Sequence, residues 1–598
     1  MPNQDPHNMH TEFCPLELPS PYLPEEAQNC AQAPEIGSFE PIVEWQWKEN
    51  PINSSYFRVE VPPLVANLTD DNNDGQIDAS DTPDVLFTSF TGSSYLGTGF
   101  VVALSGDTGE VLWLGNEYGG NKPYGLGGSA IADVDGDGLP DIFVPADNGV
   151  IRLNHLGEFQ WLCEVPTRAG GESIISVADL TGDGTGEILV HGAVCTHEGD
   201  VLWEVADNAS NRYSGSIAVD IDVDGFQEII AGGTVFNHDG TVRWQHPYAY
   251  GLAAVGDLDN DKQPEIILAQ RPNLYVLDIH GNLVWEHKFS ENGGGAPTVA
   301  DFDGDGLAEI GIASKAQYYV FEGDGTLLWS RTTQETSSGM TGSAVFDFEG
   351  DGAAEVVYAD ERNLWVFDGL TGEVELQWTE HSSGTRWEFP TIADVDNDGS
   401  AEILIGHGRG GTWGLTVLGS KTDQWQPARP IWNQFAYSIT NINDDGSLPA
   451  FPYPNWWKYN SFRAANAQSK VGLELPDLTI GDPELCAVEC YQEHVLLSVP
   501  IENRGAQTIN QEVQVRFYAV DGDQRRLVHE ESLSGMSPQS TRWIGPIQIH
   551  VEDFGSEGLV ITVDEWQSVE SNILECIEDN NFLALPEAPC PLDTGLAE

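Results

Sequence analysis

One short line governs what this chain can become. Residues 132–144 read ADVDGDGLPDIFV, and variants return as VADLTGDGTGEILV from Val177, GDLDNDKQPEIILA from Gly256, ADFDGDGLAEIGIA from Ala300 and ADVDNDGSAEILIG from Ala393. Between the residues that open successive loops, from Asp133 to Asp394, the steps are 46, 41, 37, 44, 46 and 47 residues. Each unit enters its acidic loop from a small apolar strand (SAIA, SIAV, PTVA) and leaves on a β-branched run (DIFV, EILV, EIIA). A third short strand and a turn follow, then a strand ending in Trp. GEVLW, GEFQW, GDVLW, GTVRW, GNLVW and GTLLW put Trp113, Trp161, Trp203, Trp244, Trp285 and Trp329 in one register. No unit carries a helical apolar period. Short strands and Gly-rich turns at this spacing predict four-stranded blades, and closing the blades into a ring protects their edges. The expected fold class is all-β, with a β-propeller as its main body.

A further copy, NLTDDNNDGQIDASD from Asn67, carries an insertion, and PIVEWQW, with Trp45 and Trp47, precedes it. In propellers the first strand often completes the last blade, and VEWQW is placed for that role. Eight blades are expected, with seven as the alternative if the first loop is an insertion on a shared blade.

The pattern D-x-D-x-D-G-x-x-[DE] offers oxygens at positions 1, 3, 5 and 9 around a sharp turn at position 6, the first part of a calcium loop. Magnesium demands tighter octahedral geometry and keeps its waters. The expected ligands are Asp70, Asn72, Asp74, Asp78 and Asp81 in the first loop and Asp133, Asp135, Asp137 and Asp141 in the second. The third offers Asp179, Thr181, Asp183 and Glu187, and the fourth Asp220, Asp222, Asp224 and Glu228. The fifth has Asp257, Asp259, Asp261 and Glu265, with Lys262 in place of the usual Gly, which predicts a weaker or distorted site. Asp301, Asp303, Asp305 and Glu309 form the sixth, Asp347, Glu349, Asp351 and Glu355 the seventh, and Asp394, Asp396, Asp398 and Glu402 the eighth. One such loop has an ordinary explanation in turn chemistry; eight at one blade position do not. Carboxylates held ~4 Å apart repel by about 4 kcal/mol per pair at an effective dielectric of about 20. Up to eight calcium ions are therefore expected as staples.

With 95 acidic and 25 basic residues the chain carries a formal charge of −70, and eight divalent ions would still leave −54. Such a surface repels nucleic acid and anionic membranes. Disorder is countered by 40% hydrophobic residues and 18 Trp. No apolar run is long enough to span a bilayer, and MPNQDPHNMHTEFC has neither the basic start nor the apolar stretch of a signal peptide. The eight cysteines contain no CxxC pair and no zinc-like spacing. They fit disulfides and an oxidising compartment, outside the cell or at its surface, with reduced, buried cysteines in a cytosolic protein as the alternative.

These loops resemble the FG-GAP or VCBS-type repeats of integrin α-subunit propellers and of many bacterial secreted proteins, over roughly residues 41–419. The resemblance implies a propeller with calcium on one face and ligand recognition on the opposite face. From Pro476, the segments PDLTI, VLLSVPIENRGAQT, VQVRFYAVDGD and ECIEDNNF resemble a CARDB-type bacterial adhesion-related domain, an immunoglobulin-like β-sandwich. The implied organisation is a Pro-rich, Cys-containing arm over 1–40, a propeller over 41–424, an aromatic-rich cap or linker over 425–472, a sandwich over 473–592 and a tail over 593–598. In the cap, Trp432, Phe435, Tyr437, Trp456, Trp457, Tyr459 and Phe462 are read as packing residues rather than a sugar platform. Cys163 with Cys195 can link adjacent blades, Cys14 with Cys30 can close the arm, and Cys486 or Cys490 can bridge to Cys576 or Cys590.

Three functions compete. The favoured one is a non-catalytic, monomeric binding or adhesion protein for an extracellular protein or polysaccharide. A rhamnogalacturonan lyase-like activity is the alternative; it needs a base and cations at an acidic sugar. His191, His197, His246, His381 and His407 are available for it, but no cationic cluster emerges from Arg362, Arg386 and Arg409. A quinoprotein dehydrogenase is disfavoured because the chain has no adjacent cysteines. Gly/Ser-rich loops at Phe90–Thr98, Asn116–Gly128 and Thr332–Gly342 are expected on the face away from the metals, as ligand loops or simply as connectors.

Overall fold

The computed structural model describes residues 39–465 apart from 74, 79, 93–94, 169–172, 206–214, 248–250, 291–292, 410–413 and 422–424. Beyond that body it describes 31–32, 473–474, 478–481, 483–486, 494–504, 509, 513–521, 524–533, 536, 540–556, 558–563 and 581–585. The chain divides into two compact units, Glu35–Lys470 and Met1–Pro34 with Val471–Glu598.

The larger unit is built from eight four-stranded antiparallel sheets, the blades of a β-propeller. Blade 1 runs Leu64–Ala66, Asp84–Ser89, Phe100–Ser105, Val111–Gly115, and the same order repeats in blades 2 to 7. Blade 8 takes three strands from the end of the ring (Thr391–Ala393, Glu402–His407, Gly414–Ser420) and its outermost from the start, Pro41–Trp47. VEWQW thus closes the ring as expected, and the insertion-bearing first loop belongs to a complete blade of its own, which excludes seven.

Burial explains the composition of the strands. Inner strands such as Ala130–Ala132 and Thr298–Ala300 are fully buried and small, because they converge on the axis. Second strands such as Asp141–Ala146 and Glu309–Ser314 are buried along their whole length between neighbouring blades. Outer strands such as Val111–Gly115 are half exposed, and in blades 1 to 6 their tryptophans fasten the blade to the next. The indole N–H of Trp113, Trp161, Trp203, Trp244, Trp285 and Trp329 donates to a backbone carbonyl of the following blade, at 3.0, 3.0, 3.1, 2.8, 2.8 and 2.6 Å. Each ring lies over a glycine of that blade's turn; at Gly157, at φ +75°, a Cβ would fall 2.6 Å from the Trp113 ring.

The axis is filled by the chain itself. Trp432 exchanges backbone hydrogen bonds with Val65 of blade 1 (2.8 and 3.0 Å), and Phe462 does so with Val299 of blade 6 (2.8 and 3.1 Å). Bridges to the inner strands of blades 2 and 7 complete the plug. Trp432, Phe435, Tyr437, Trp456 and Phe462 are buried in it, whereas Trp457 is 45% exposed. Within the plug, Arg463 is fully buried and donates to the carbonyls of Phe435 (3.2 Å), Ala253 (3.2 Å) and Pro297 (2.6 Å).

A disulfide joins Cys163 of blade 2 to Cys195 of blade 3, with Cα atoms 6.4 Å apart. Cys14, Cys30, Cys490, Cys576 and Cys590, and the Cys486 side chain, lie outside the described residues.

The second unit contains two four-stranded antiparallel sheets that close on one apolar core. Strand Val513–Asp521 alternates buried and half-exposed residues, as a sheet with one covered face requires. Val495, Leu497 and Val499 of one sheet meet Val515, Phe517 and Ile561 of the other in that core. Ala31–Gln32 pairs with Leu473–Glu474 in the same unit.

Candidate metal centres in the blade loops

Every acidic loop joins the inner strand of a blade to its second strand, so antiparallel order gathers these loops at one end of the ring. The connections between second and third strands, and the links between blades, lie at the other end. Phe90–Thr98, Asn116–Gly128 and Thr332–Gly342 therefore occur opposite the acidic loops.

The loops share one internal wiring. The aspartate at position 1 accepts the backbone N–H of position 6: Asp133 from Gly138 (2.9 Å), Asp179 from Gly184 (2.8 Å), Asp301 from Gly306 (2.9 Å), Asp347 from Gly352 (2.9 Å) and Asp394 from Gly399 (3.1 Å). Position 6 requires positive φ, which glycine adopts freely. In loop 5, Lys262 takes φ +71° and still donates to Asp257 at 2.8 Å, so the expected distortion of the backbone is absent. Position 5 caps its own turn: Asp137, Asp183, Asp261, Asp305, Asp351 and Asp398 accept the N–H of position 7 at 2.7–2.9 Å.

Position 9 is buried in each of loops 2 to 8. One oxygen of Glu187, Glu265, Glu309, Glu355 and Glu402 accepts the N–H of position 2, at 2.7–2.8 Å. The other points back into the loop. In loops 6 and 8, Oε1 of Glu309 and of Glu402 is buried without a hydrogen-bond partner, and both residues are fully buried. Burial, with the loop aspartates adding to it, pushes Glu309 up to about 9 and Glu402 up to about 11; Glu265 and Glu187 rise to about 7 for the same reason. Glu355 is driven well up by burial and by Glu349 beside it. A buried, unpaired carboxylate is costly, and these oxygens fit a cation held against them. Carboxylate oxygens at positions 1, 3 and 9 lie within 4.8 Å of one another for Asp133, Asp135 and Asp141; for Asp220, Asp222 and Glu228; for Asp257, Asp259 and Glu265; for Asp301, Asp303 and Glu309; and for Asp347, Glu349 and Glu355. Several acidic clusters can thus hold metal ions, with hard oxygen donors suited to calcium.

Among the described residues, two loops also receive an arginine. Arg152 reaches Asp135 (2.5 Å) and Asp141 (2.6 Å), and Arg243 pairs with Asp222 and with Glu228 (2.9 Å).

The first loop carries two frames. Asp70 accepts the Gly75 N–H at 3.0 Å in the position 1 to 6 manner, and Asp81, at position 12, accepts from Asp71 (2.9 Å), Asn72 (3.2 Å) and Asp78 (3.0 Å). Asp74 lies outside the described residues. The blade's own position 9 is filled by Asp84, which the spacing did not single out: it accepts the Leu68 N–H at 2.8 Å, as Glu187 does from Leu180. Burial pushes Asp84 up to about 7, and its Oδ1 has no partner. The signal was present in DVLF, where Asp84 precedes an apolar run as Asp141 does in DIFV. NINDDG, by contrast, forms an ordinary turn in which Asp444 pairs with Arg429 at 2.7 Å and Asp445 caps Ser447 at 3.0 Å.

At the opposite end of the ring, the loops fold onto buried polar groups. Glu335 accepts the N–H groups of Ser338 (2.8 Å) and Gly339 (2.9 Å). Tyr95 lies against Arg58 and Arg386, 5.2 and 5.7 Å from ring centre to guanidinium. His381 and His407 are buried with their Nδ1 atoms 3.2 Å apart. Among the five histidines considered for catalysis, these two are therefore closed off in the interior.

The ring and its loops define an eight-bladed β-propeller that carries FG-GAP-like repeats, the family description matched at residues 133–190, 257–312 and 347–405. Among solved structures, the chain is similar to the V. cholerae biofilm matrix protein Bap1, at 22% identity and a TM-score of 0.67, over 72% of this chain and 99% of that one. It also aligns with the rhamnogalacturonan lyase YesW (15% identity, TM-score 0.45, 69% and 80% of the two chains). The Bacillus licheniformis rhamnogalacturonan lyase PL11 aligns at 17% identity and a TM-score of 0.45, over 72% and 83%. No curated protein matches by sequence. No helix among the described residues is long and apolar enough to cross a membrane.

Proposed function

We propose that this protein is a calcium-stabilised, non-catalytic binding protein of the extracellular matrix or cell surface. The observation that carries the calcium reading is the unpartnered, fully buried oxygen of Glu309 and of Glu402 inside a ring of carboxylates. Calcium supplies the positive charge that lets position 1, 3 and 9 carboxylates share one turn, and so ties the inner strand of a blade to its second strand. The residues proposed to hold it are the aspartates and glutamates of the acidic loops named above, loop 4 with its Arg243 set apart, with Asp84 added in blade 1. The disulfide between blades 2 and 3 supports an oxidising compartment.

Binding is proposed for the end of the ring opposite the ions, with an extracellular polysaccharide or protein as ligand. Likeness of fold to a biofilm matrix protein supports that reading. The two-sheet second unit fits a CARDB-type, immunoglobulin-like spacer or contact domain. A glycan array run with and without calcium, followed by an ultraviolet assay for unsaturated sugar products, tests the function. Calcium-dependent array binding without new absorbance is the expected result; rising absorbance would instead establish a lyase.

A further inference from the structure

Loop 4 differs from its siblings, and the difference is visible in one residue of the outer strand. The position before the register Trp is Leu112, Gln160, Leu202, Val284 and Leu328 in blades 1, 2, 3, 5 and 6, but Arg243 in blade 4. Arg243 lies on Val242–Gln245, and its guanidinium turns into the loop rather than out to solvent. One nitrogen bonds Asp222 and another donates to Oε1 of Glu228 at 2.9 Å. That is the glutamate oxygen left unpartnered in loops 6 and 8. The second Glu228 oxygen takes the Ile221 N–H at 3.2 Å, and the two Asp220 oxygens take those of Asp224 (3.0 Å) and Gly225 (2.8 Å). The Asp220 bonds recur at Asp179 and Asp347 in sibling loops; what sets loop 4 apart is that both oxygens of the buried Glu228 are engaged by the chain.

We propose that in loop 4 the Arg243 guanidinium stands where the ion stands in sibling loops, so that blade 4 is clamped without metal. This rests on the reading that the sibling loops hold calcium. The physical basis is geometric and electrostatic. A guanidinium is a permanently charged planar fork that matches two carboxylates at once. A divalent ion touching Asp222 and Glu228 would meet that fork at contact range, where like charges repel strongly in a half-buried site. Loop 2 provides the contrast. Arg152 reaches Asp135 and Asp141, yet Asp135 Oδ1 and Asp141 Oδ2 stay buried without a partner, which leaves that loop oxygens for an ion.

The test counts calcium ions per folded chain by native mass spectrometry and titration calorimetry, in wild type, Arg243→Leu, Asp222→Ala and Glu309→Gln. Arg243→Leu is expected to bind one ion more than wild type, and Asp222→Ala the same number as wild type. An unchanged count in Arg243→Leu, or one ion lost in Asp222→Ala, would overturn the proposal. Should Arg243→Leu fail to fold, the Asp222→Ala count decides. Glu309→Gln is the separate check on the sibling loops: one ion fewer upholds the calcium reading, and no change sinks that reading while the Arg243→Leu comparison still judges loop 4.

Discussion

The indole N–H of Trp45 donates to the backbone carbonyl of Gly106 at 2.5 Å, across 61 residues of sequence. Trp45 belongs to the outermost strand of blade 8 and Gly106 to the turn of blade 1, so this bond closes the ring. A Cβ built at Gly109, at φ +68°, falls 2.5 Å from the Trp45 ring, repeating the Trp–Gly contact seen between other blades.

Trp45→Ala should therefore loosen the whole ring rather than one blade. Removing a large buried aromatic costs about 3–5 kcal/mol, and Gly106 also loses its donor. Gly109→Ala adds a clash and left-handed strain, for about 1–3 kcal/mol. Denaturant midpoints of both variants against wild type, in excess calcium, check this; unchanged midpoints would mean that the closure carries no stability.

Calcium removal should lower the melting temperature, because an ion that binds only the folded chain stabilises it by about 2.7 kcal/mol at 100-fold over its dissociation constant. Glu402→Gln should abolish one ion's share of that stabilisation and, with its charge removed, lose less on chelation than wild type. Scanning calorimetry with and without a chelator measures both.

Cys163 and Cys195 close a loop with a sequence separation of 32. Loop entropy alone makes the bond worth about 3–4 kcal/mol. The double variant Cys163→Ser/Cys195→Ser should unfold at lower denaturant by that order, and reduction of wild type should mimic it.

Acid should weaken the interior at the histidine pair. Burial holds His381 down at about 4 and His407 well below the usual imidazole range. His381 Nε2 lies 3.0 Å from the Asp360 carbonyl, and His407 Nε2 lies 2.8 Å from the Thr416 hydroxyl. Both rings are therefore neutral when folded. Unfolding lets each bind a proton below about pH 6.5, so stability present above that pH is lost as pH falls toward 4, by about 3 kcal/mol for His381. Stability measured in saturating calcium should fall less steeply over this window in His381→Gln than in wild type; equal slopes would refute the assignment.

Arg463→Met should free the plug. The variant keeps the length of the side chain but leaves the carbonyls of Ala253 and Pro297 without their donor. A loss of about 3 kcal/mol or more is expected, seen as earlier unfolding and as faster proteolysis within 425–465.

How much of this was legible in advance depends on how far apart the partners lie. Blade strands, acidic loops and the Trp register repeat within some forty residues, and each is set by neighbours in sequence: alternation of apolar residues, Gly at a positive φ, Asp capping its own turn. The role of VEWQW was legible because one strand lacked a blade and one blade lacked a strand. Asp84 was missed because the insertion from Asn67 moved it out of the counted spacing, although its place before an apolar run is the same. Lys262 predicts a weaker or distorted site; the backbone of its loop keeps the common form, because one left-handed non-Gly residue costs only ~1–2 kcal/mol and the hydrogen bond to Asp257 survives.

The repeat by itself determined the architecture, because each blade is a local antiparallel sheet whose turns and apolar strands are written into its own forty residues. Only the tertiary structure decided what fills the axis, which carboxylates remain unpartnered and which are met by Arg152 or Arg243. Those outcomes depend on side chains brought together from distant strands, where burial strips away water and leaves each charge to find a partner or go without one. Trp432 against Val65, and Arg463 against Ala253, are contacts across more than 200 residues, and nothing in a local period encodes them.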